Sequence, residues 1–211
     1  MPAPAMTYTT LVSDVTAYAE RSDTNFTDQI PRFIMMCENR IASEVRGLGL
    51  MKFATSNFIS GTANYAKPDR WRETVSMSYV TSGQRYYLFE RSYEYCRTYW
   101  PVTATTTTTP KYYANYDYTN FLIVGTPGST DQFELCYYER PLPLSASNET
   151  NWVTEYSPQL LLYGTLLEAQ PFLKLDERMV LFKQLYQEAA DGVANEAKRR
   201  AQDQSNVRTE A

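Results

Sequence analysis

Apolar positions recur at helical spacing in the first part of the chain. Leu11, Val15 and Tyr18 follow the i, i+4, i+7 pattern of an amphipathic helix. The same spacing continues over 30–45, where a second helix is predicted. Two helices that are joined by a short turn are typical of an antiparallel hairpin, so residues 1–50 are predicted to form one.

The middle of the chain, residues 51–144, has the composition of strands. Aromatic and β-branched residues replace the helical pattern there, and a short helix is predicted over 90–99. Turn residues interrupt the pattern at 64–69 and 81–84. The strand candidates lie at 53–58, 71–80, 85–89, 112–113, 121–124 and 132–138. We therefore expect an antiparallel region of about six strands, the last three as a meander.

Helical signals return in residues 145–211, after a polar crossover rich in proline. Ser157 followed by Pro158 is a strong helix start, and Leu160–Leu167 is apolar on nearly every side. A charged, alanine-rich helix ends the chain. The predicted fold is α+β: an antiparallel bundle of N-terminal and C-terminal helices with a central antiparallel sheet, in one composite domain.

The composition of the chain argues against several classes of function. The 211 residues carry a net charge of −4, which disfavours DNA binding driven by phosphate neutralisation. The chain contains no His, the commonest general base and metal ligand. Its three cysteines form no CxxC pair. We therefore predict no catalytic, cofactor-binding or metal-binding residues and no enzyme activity.

The chain shows no signal-peptide pattern at its start, and its most apolar stretch is too short to span a bilayer. We expect synthesis in a reducing cytoplasm and no membrane partner. Two functions other than protein–protein assembly stay open at this point. One is a carbohydrate-binding module, and the other is a hydrolase with a carboxylate pair, although no pair stands out by its spacing.

Tyrosine is unusually frequent: the chain has 18, and nine of them lie between Tyr86 and Tyr118. Tyrosine is enriched at protein interfaces, but it also packs in sheets and can form a platform that stacks on sugars. We interpret this segment chiefly as a protein–protein interface. The candidate interface residues are Tyr93, Tyr95, Tyr99, Tyr112, Tyr113 and Tyr116.

A short basic run, Lys198, Arg199 and Arg200, lies near the end of the last helix. Such a run can simply complement the negative end of the helix dipole. It can also dock on an acidic partner surface.

Several segments taken together resemble a known family. They are YYERPLPL at 137–144, TNW at 150–152, SPQLLLYGTLLEA at 157–169, PFL at 171–173 and DER at 176–178. The opening, with TDQIPRFI at 27–34 and ENRI at 38–41, is similar too. From about residue 7 to about residue 200, the chain resembles the head-to-tail adaptor proteins of short-tailed bacteriophages, the tail tubular protein A-like family.

The resemblance implies a structural virion protein at the head–tail junction. It implies a ring of twelve copies that docks under the portal, receives the tail nozzle on its other face and passes DNA through its channel without specific binding. It implies no catalytic residues. Within such a ring we expect the basic run at 198–200 to dock on the portal and the candidate tyrosines to form subunit or nozzle contacts. The alternative is a carbohydrate-binding module of a tail or secreted protein. A related head-completion ring would share helices and strands, and the helical last third favours the adaptor.

Overall fold

The computed structural model of the chain describes residues 6–101, 107–173 and 176–206, without the side chains of Leu48, Asp176, Glu177 and residues 200–206. Within these ranges the chain is α+β. It divides into two compact units. The helical unit comprises Met1–Leu50 and Arg140–Ala211, and the strand unit comprises Met51–Glu139.

The elements are numbered in chain order. The helices are α1 (Tyr8–Ala19), α2 (Thr24–Thr27), α3 (Ile30–Glu44), α4 (Tyr93–Tyr99), α5 (Trp152–Tyr156), α6 (Pro158–Leu173) and α7 (Asp176–Asn206), with a 3₁₀ turn at Leu48–Leu50. The strands are β1 (Met51–Asn57), β2 (Asn64–Ala66), β3 (Trp71–Thr81), β4 (Gln84–Glu90), β5 (Tyr112–Ala114), β6 (Asn120–Val124) and β7 (Gln132–Glu139).

Helix α6 is the centre of the helical unit. Leu160, Leu161 and Leu166 are fully buried in it, as an apolar surface on nearly every side predicts. Helices α1, α3 and α7 each pack against α6, whereas α1 and α3 touch each other only slightly. The predicted terminal bundle built on an N-terminal hairpin is therefore wrong: the short helix α2 separates α1 from α3, and both bury their apolar faces on α6.

A glycine allows the three central helices to approach one another. A Cβ atom added to Gly164 would lie 2.5 Å from the Sγ atom of Cys37 on α3 and 3.1 Å from the Cδ2 atom of Tyr186 on α7. Cys37 is fully buried, and its thiol lies 3.5 Å from the Leu161 carbonyl oxygen, to which it donates. The helices therefore meet at a point that has no space for a side chain on α6.

The buried carboxylate of Glu38 on α3 holds the crossover between the sheet and α5. It accepts hydrogen bonds from the Leu144 backbone N–H at 3.1 Å and from the Asn151 side-chain amide at 3.0 Å. Burial nevertheless raises the pKa of Glu38 to about 7, because the two bonds only partly replace the lost hydration. Asn151 also caps α5, since its side chain accepts from the backbone N–H groups of Val153 and Thr154.

The sheet has seven strands in the order β1-β7-β3-β4-β5-β6-β2 and is mixed. Strands β4 and β5 pair in parallel, and the other neighbours are antiparallel. The predicted antiparallel sheet of about six strands is therefore wrong. The long connection that contains α4 returns the chain beside the end of β4 in the same direction, as a parallel pair requires.

The seventh strand lies in a segment that was predicted to be a turn. Residues Asn64–Ala66 form β2, which pairs with β6. Tyr65 is buried there, and its hydroxyl contacts the backbone of Ile59. The predicted meander is also incorrect at its end, because β7 pairs with β1 and β3 instead of β6. These pairings join residues that are far apart along the chain.

Aromatic rings form much of the core of the strand unit. Phe58 stacks on Phe133 with a centroid distance of 4.9 Å, and both rings also contact Tyr65. Strand β3 shifts its register against β7 between Trp71 and Glu73 and again between Thr74 and Ser76. Such irregularities explain why apolar and polar residues alternate only partly along β3.

Candidate docking surfaces

The predicted interface tyrosines gather around α4. Ser92 caps this helix by accepting from the backbone N–H of Tyr95, and Cys96 fixes its orientation because it is fully buried. The i, i+4 pair Tyr95 and Tyr99 then lies on one flank of α4, and Tyr93 lies on the other. We call the surface formed by Tyr93, Tyr95, Tyr99, Tyr112 and Tyr116 the tyrosine patch.

The rings of the tyrosine patch contact one another. Tyr112 meets the rings of Tyr95 and Tyr99 edge-on, at centroid distances of 5.5 and 4.9 Å. On the other flank, Tyr93 stacks on Tyr116 at 5.2 Å. Tyr93, Tyr95, Tyr99 and Tyr116 are each about two-fifths exposed (38–43%). The packing therefore holds large rings in place without hiding them from solvent.

Tyr113 lies apart from the other candidates. It is 4% exposed, packs edge-on against Phe121 in the sheet core and donates its hydroxyl to Glu90. Burial is the main reason why the pKa of Tyr113 is raised. The alternation of sides along β5 explains the difference, because successive residues of a strand face opposite ways.

Three cations lie on the rings of the tyrosine patch. The guanidinium carbon of Arg91 lies 5.8 Å from the ring centroid of Tyr95 and 5.9 Å from that of Tyr112. The Nζ atom of Lys111 lies 5.6 Å from the ring centroid of Tyr112. Arg97 lies 5.1 Å from the centroid of Tyr93. None of the three forms an ion pair with a described carboxylate. Aromatic faces therefore lie beside all three charges, and Arg91 also donates to the Glu90 carbonyl oxygen at 3.3 Å.

A second exposed surface lies on the outer face of the sheet, where the sequence patterns did not place one. Phe53, Tyr87 and Phe89 are each more than half exposed. Tyr87 on β4 lies opposite Ser78 on β3, and Ser78 lies opposite Glu134 on β7. Glu134 forms an ion pair with Arg85 at 2.7 Å. Only Leu88 is buried along β4, and the sequence of this strand, QRYYLFE, does not alternate between apolar and polar residues, so no local pattern indicated the surface.

A groove in the helical unit was missed too. It encloses about 370 Å³ between the 3₁₀ turn, α5 and α7, and its walls include Gly47, Gly49, Trp152, Tyr156 and Val193. The indole of Trp152 takes the place of a side chain on Gly49, since an added Cβ would lie 1.8 Å from its Nε1 atom. Gly47 and Gly49 therefore leave the space that this ring occupies.

The basic run lies on the exposed end of α7. Lys198 and Arg199 are exposed, and the side chain of Arg200 lies outside the described residues. Upstream on α7, Glu188 and Asp191 are exposed, and each accepts a hydrogen bond from a glutamine four residues earlier. Between Lys183 and Lys198 the helix carries three acids and no cation. This long helix therefore presents an acidic middle and a basic end.

Within the described residues, no helix is long and apolar enough to cross a membrane. No curated protein matches the chain. The model of the SU10 adaptor protein family matches residues 6–209, nearly the whole sequence. The chain therefore belongs to the SU10 adaptor protein family, the structural head–tail adaptors of short-tailed phages that the patterns of its first and last thirds already resembled.

Proposed function

We propose that this chain assembles into the adaptor ring that docks under the phage portal, bridges it to the tail nozzle and forms part of the DNA exit channel. Membership of an adaptor family over residues 6–209 is the observation that carries this proposal. A ring of twelve identical subunits is the expected assembly. The protein would act by binding other proteins and would need no cofactor.

The exposed surfaces of the subunit support this role. A closed ring is a heterologous assembly, in which two different faces of the same subunit meet around a circle. An adaptor needs two further faces, one for the portal and one for the nozzle. The tyrosine patch, the outer sheet face and the α7 end differ in chemistry, so they suit different partners. We assign the tyrosine patch to a subunit or nozzle contact and the α7 end to the portal.

The charge of the chain fits a DNA channel. A wall with a net negative charge does not hold phosphates, so DNA slides past it instead of binding. We accordingly expect no sequence-specific contact with DNA.

Native mass spectrometry of the purified chain, alone and with the portal ring of its phage, tests the proposal. We expect a complex of about twelve copies on the portal, since the portal would template ring closure. A chain that stays monomeric and does not bind the portal contradicts the proposal. The tyrosine patch would then be tested on a glycan array for sugar binding.

The double substitution Arg199→Glu/Arg200→Glu is expected to weaken portal binding by at least about tenfold, because it reverses the charge of the proposed docking segment. Folding should be unchanged, since Arg199 is exposed on the helix surface. Lys183→Glu, a charge reversal elsewhere on α7, is the matched control and should bind like the wild type. Equal portal affinity for all three proteins, measured by biolayer interferometry, would refute the docking assignment.

A further inference from the structure

We propose that the tyrosine patch binds the acidic middle of α7 in a neighbouring copy of this chain, and so forms the contact that closes the ring. This inference rests on the proposed function and adds which faces meet and through which chemistry. It would place the two sides of one heterologous contact in different units of the same subunit.

The first argument concerns the form of the tyrosine patch. Tyrosine and arginine are among the residues that contribute most to binding at interfaces. Their contribution is largest when the side chains are already ordered before binding. Here Tyr112 braces Tyr95 and Tyr99, and Arg97 donates from Nε to the Tyr93 hydroxyl at 3.0 Å. Docking would therefore cost little additional side-chain entropy.

The second argument concerns the charge that a partner must supply. Covering Arg91, Arg97 and Lys111 removes them from water, which is unfavourable unless the partner brings carboxylates. Three acids lie near the patch in the chain: Glu90, which accepts from the Tyr113 hydroxyl, Glu94, which is exposed on α4, and Asp117, which accepts from Thr119 and Asn120. None of them forms an ion pair with the three cations. The patch thus fits a partner surface that carries acidic side chains.

The third argument identifies a source of those carboxylates in the chain itself. The strand unit contains eight cations and eight acids, so the whole net charge of −4 belongs to the helical unit. The middle of α7 presents Glu188 and Asp191 on its exposed side. A second copy can therefore provide the complementary face, and two copies joined in this way still have one free face each, as ring growth requires.

A charge swap tests the inference. The variant Arg91→Glu/Arg97→Glu/Lys111→Glu should associate at least about tenfold more weakly than the wild type, measured as ring assembly on the portal and as sedimentation of the isolated chain. Adding Glu188→Lys/Asp191→Lys to this variant should restore assembly, because the two faces become complementary again. Circular dichroism and thermal melting establish that each variant is folded.

Two further variants sharpen the result. Glu94→Gln should strengthen association, since it removes an acid from the face that receives acids. Lys52→Glu, a charge reversal at an exposed position of β1, should have no effect. Raising the salt concentration should weaken assembly of the wild type and of the swapped variant alike.

The possible failures are distinct. If the wild type neither self-associates nor assembles on the portal, the proposed function fails and this inference fails with it. If the wild type assembles and the triple variant assembles equally well, the inference alone is wrong. If the triple variant fails and the swap does not restore it, the acidic middle of α7 is excluded as the partner of the patch. Loss of self-association in the isolated chain would then point to another face of the second copy, and loss on the portal alone to another protein of the junction.

Discussion

Replacing Gly164 by alanine is expected to lower the free energy of unfolding by about 2 kcal/mol, although alanine favours helix more than glycine does. The added Cβ would lie 2.5 Å from the Sγ atom of Cys37, inside the core where α3 and α7 meet α6. Because the thiol is fully buried, it has no solvent-filled space into which it can move. Urea unfolding followed by circular dichroism measures the loss.

Gly192 provides the matched control on α7. A Cβ added there has nothing within 4 Å, so Gly192→Ala should raise the free energy of unfolding by up to about 1 kcal/mol. The same substitution is thus expected to have opposite effects at two helical glycines. Combining Gly164→Ala with Cys37→Ala should destabilise by less than the sum of the single effects, because the clashing atom is gone. Equal effects at the two glycines would show that Gly164 is not a packing position.

Stability is expected to fall by about 3 kcal/mol as the pH rises from about 4.5 to above 7, through Glu38 alone. The pKa of Glu38 is raised in the folded protein from 4.5 to about 7 by burial. Between these values the folded state holds more protons than the unfolded state, so raising the pH favours unfolding. This contribution is fully present below about pH 4.5 and is lost once the pH exceeds about 7.

Glu38→Gln should flatten this decline, because the amide stays neutral and its oxygen can still accept from the Leu144 backbone and from Asn151. Glu155→Gln on α5 is the control, because it makes the same substitution at an exposed position, and the decline should stay as steep as in the wild type. Urea unfolding at several pH values tests both variants. A Glu38→Gln profile as steep as that of the wild type would remove Glu38 as the cause.

Local patterns predicted most of the individual elements. The helical spacing of Leu11 and Val15 and the start signal at Ser157–Pro158 correspond to helices α1 and α6. These signals depend on residues within one or two turns of each other, so the sequence displays them directly. The first and last thirds also carried the family resemblance, because their motifs are local strings of residues.

The candidate surfaces were predictable only in part. Composition pointed to the tyrosine-rich segment, and Tyr93, Tyr95, Tyr99, Tyr112 and Tyr116 do gather on one surface around α4. Composition could not predict that Tyr113 is buried while Tyr112 belongs to the patch. Which side of β5 is buried depends on its neighbours in the sheet. Nor could composition find the Trp152 groove, which joins residues more than a hundred positions apart.

The sequence by itself determined the helical and extended segments, the absence of histidine chemistry and the membership of an adaptor family. Tertiary structure decided the rest: the parallel pairing of β4 with β5, the recruitment of Asn64–Ala66 as a seventh strand and the central place of α6. The physical reason is the distance along the chain over which each kind of interaction acts. Helix periodicity and caps act between near neighbours along the chain, whereas strand pairing and burial are set by contacts between distant segments, whose partners no local pattern specifies.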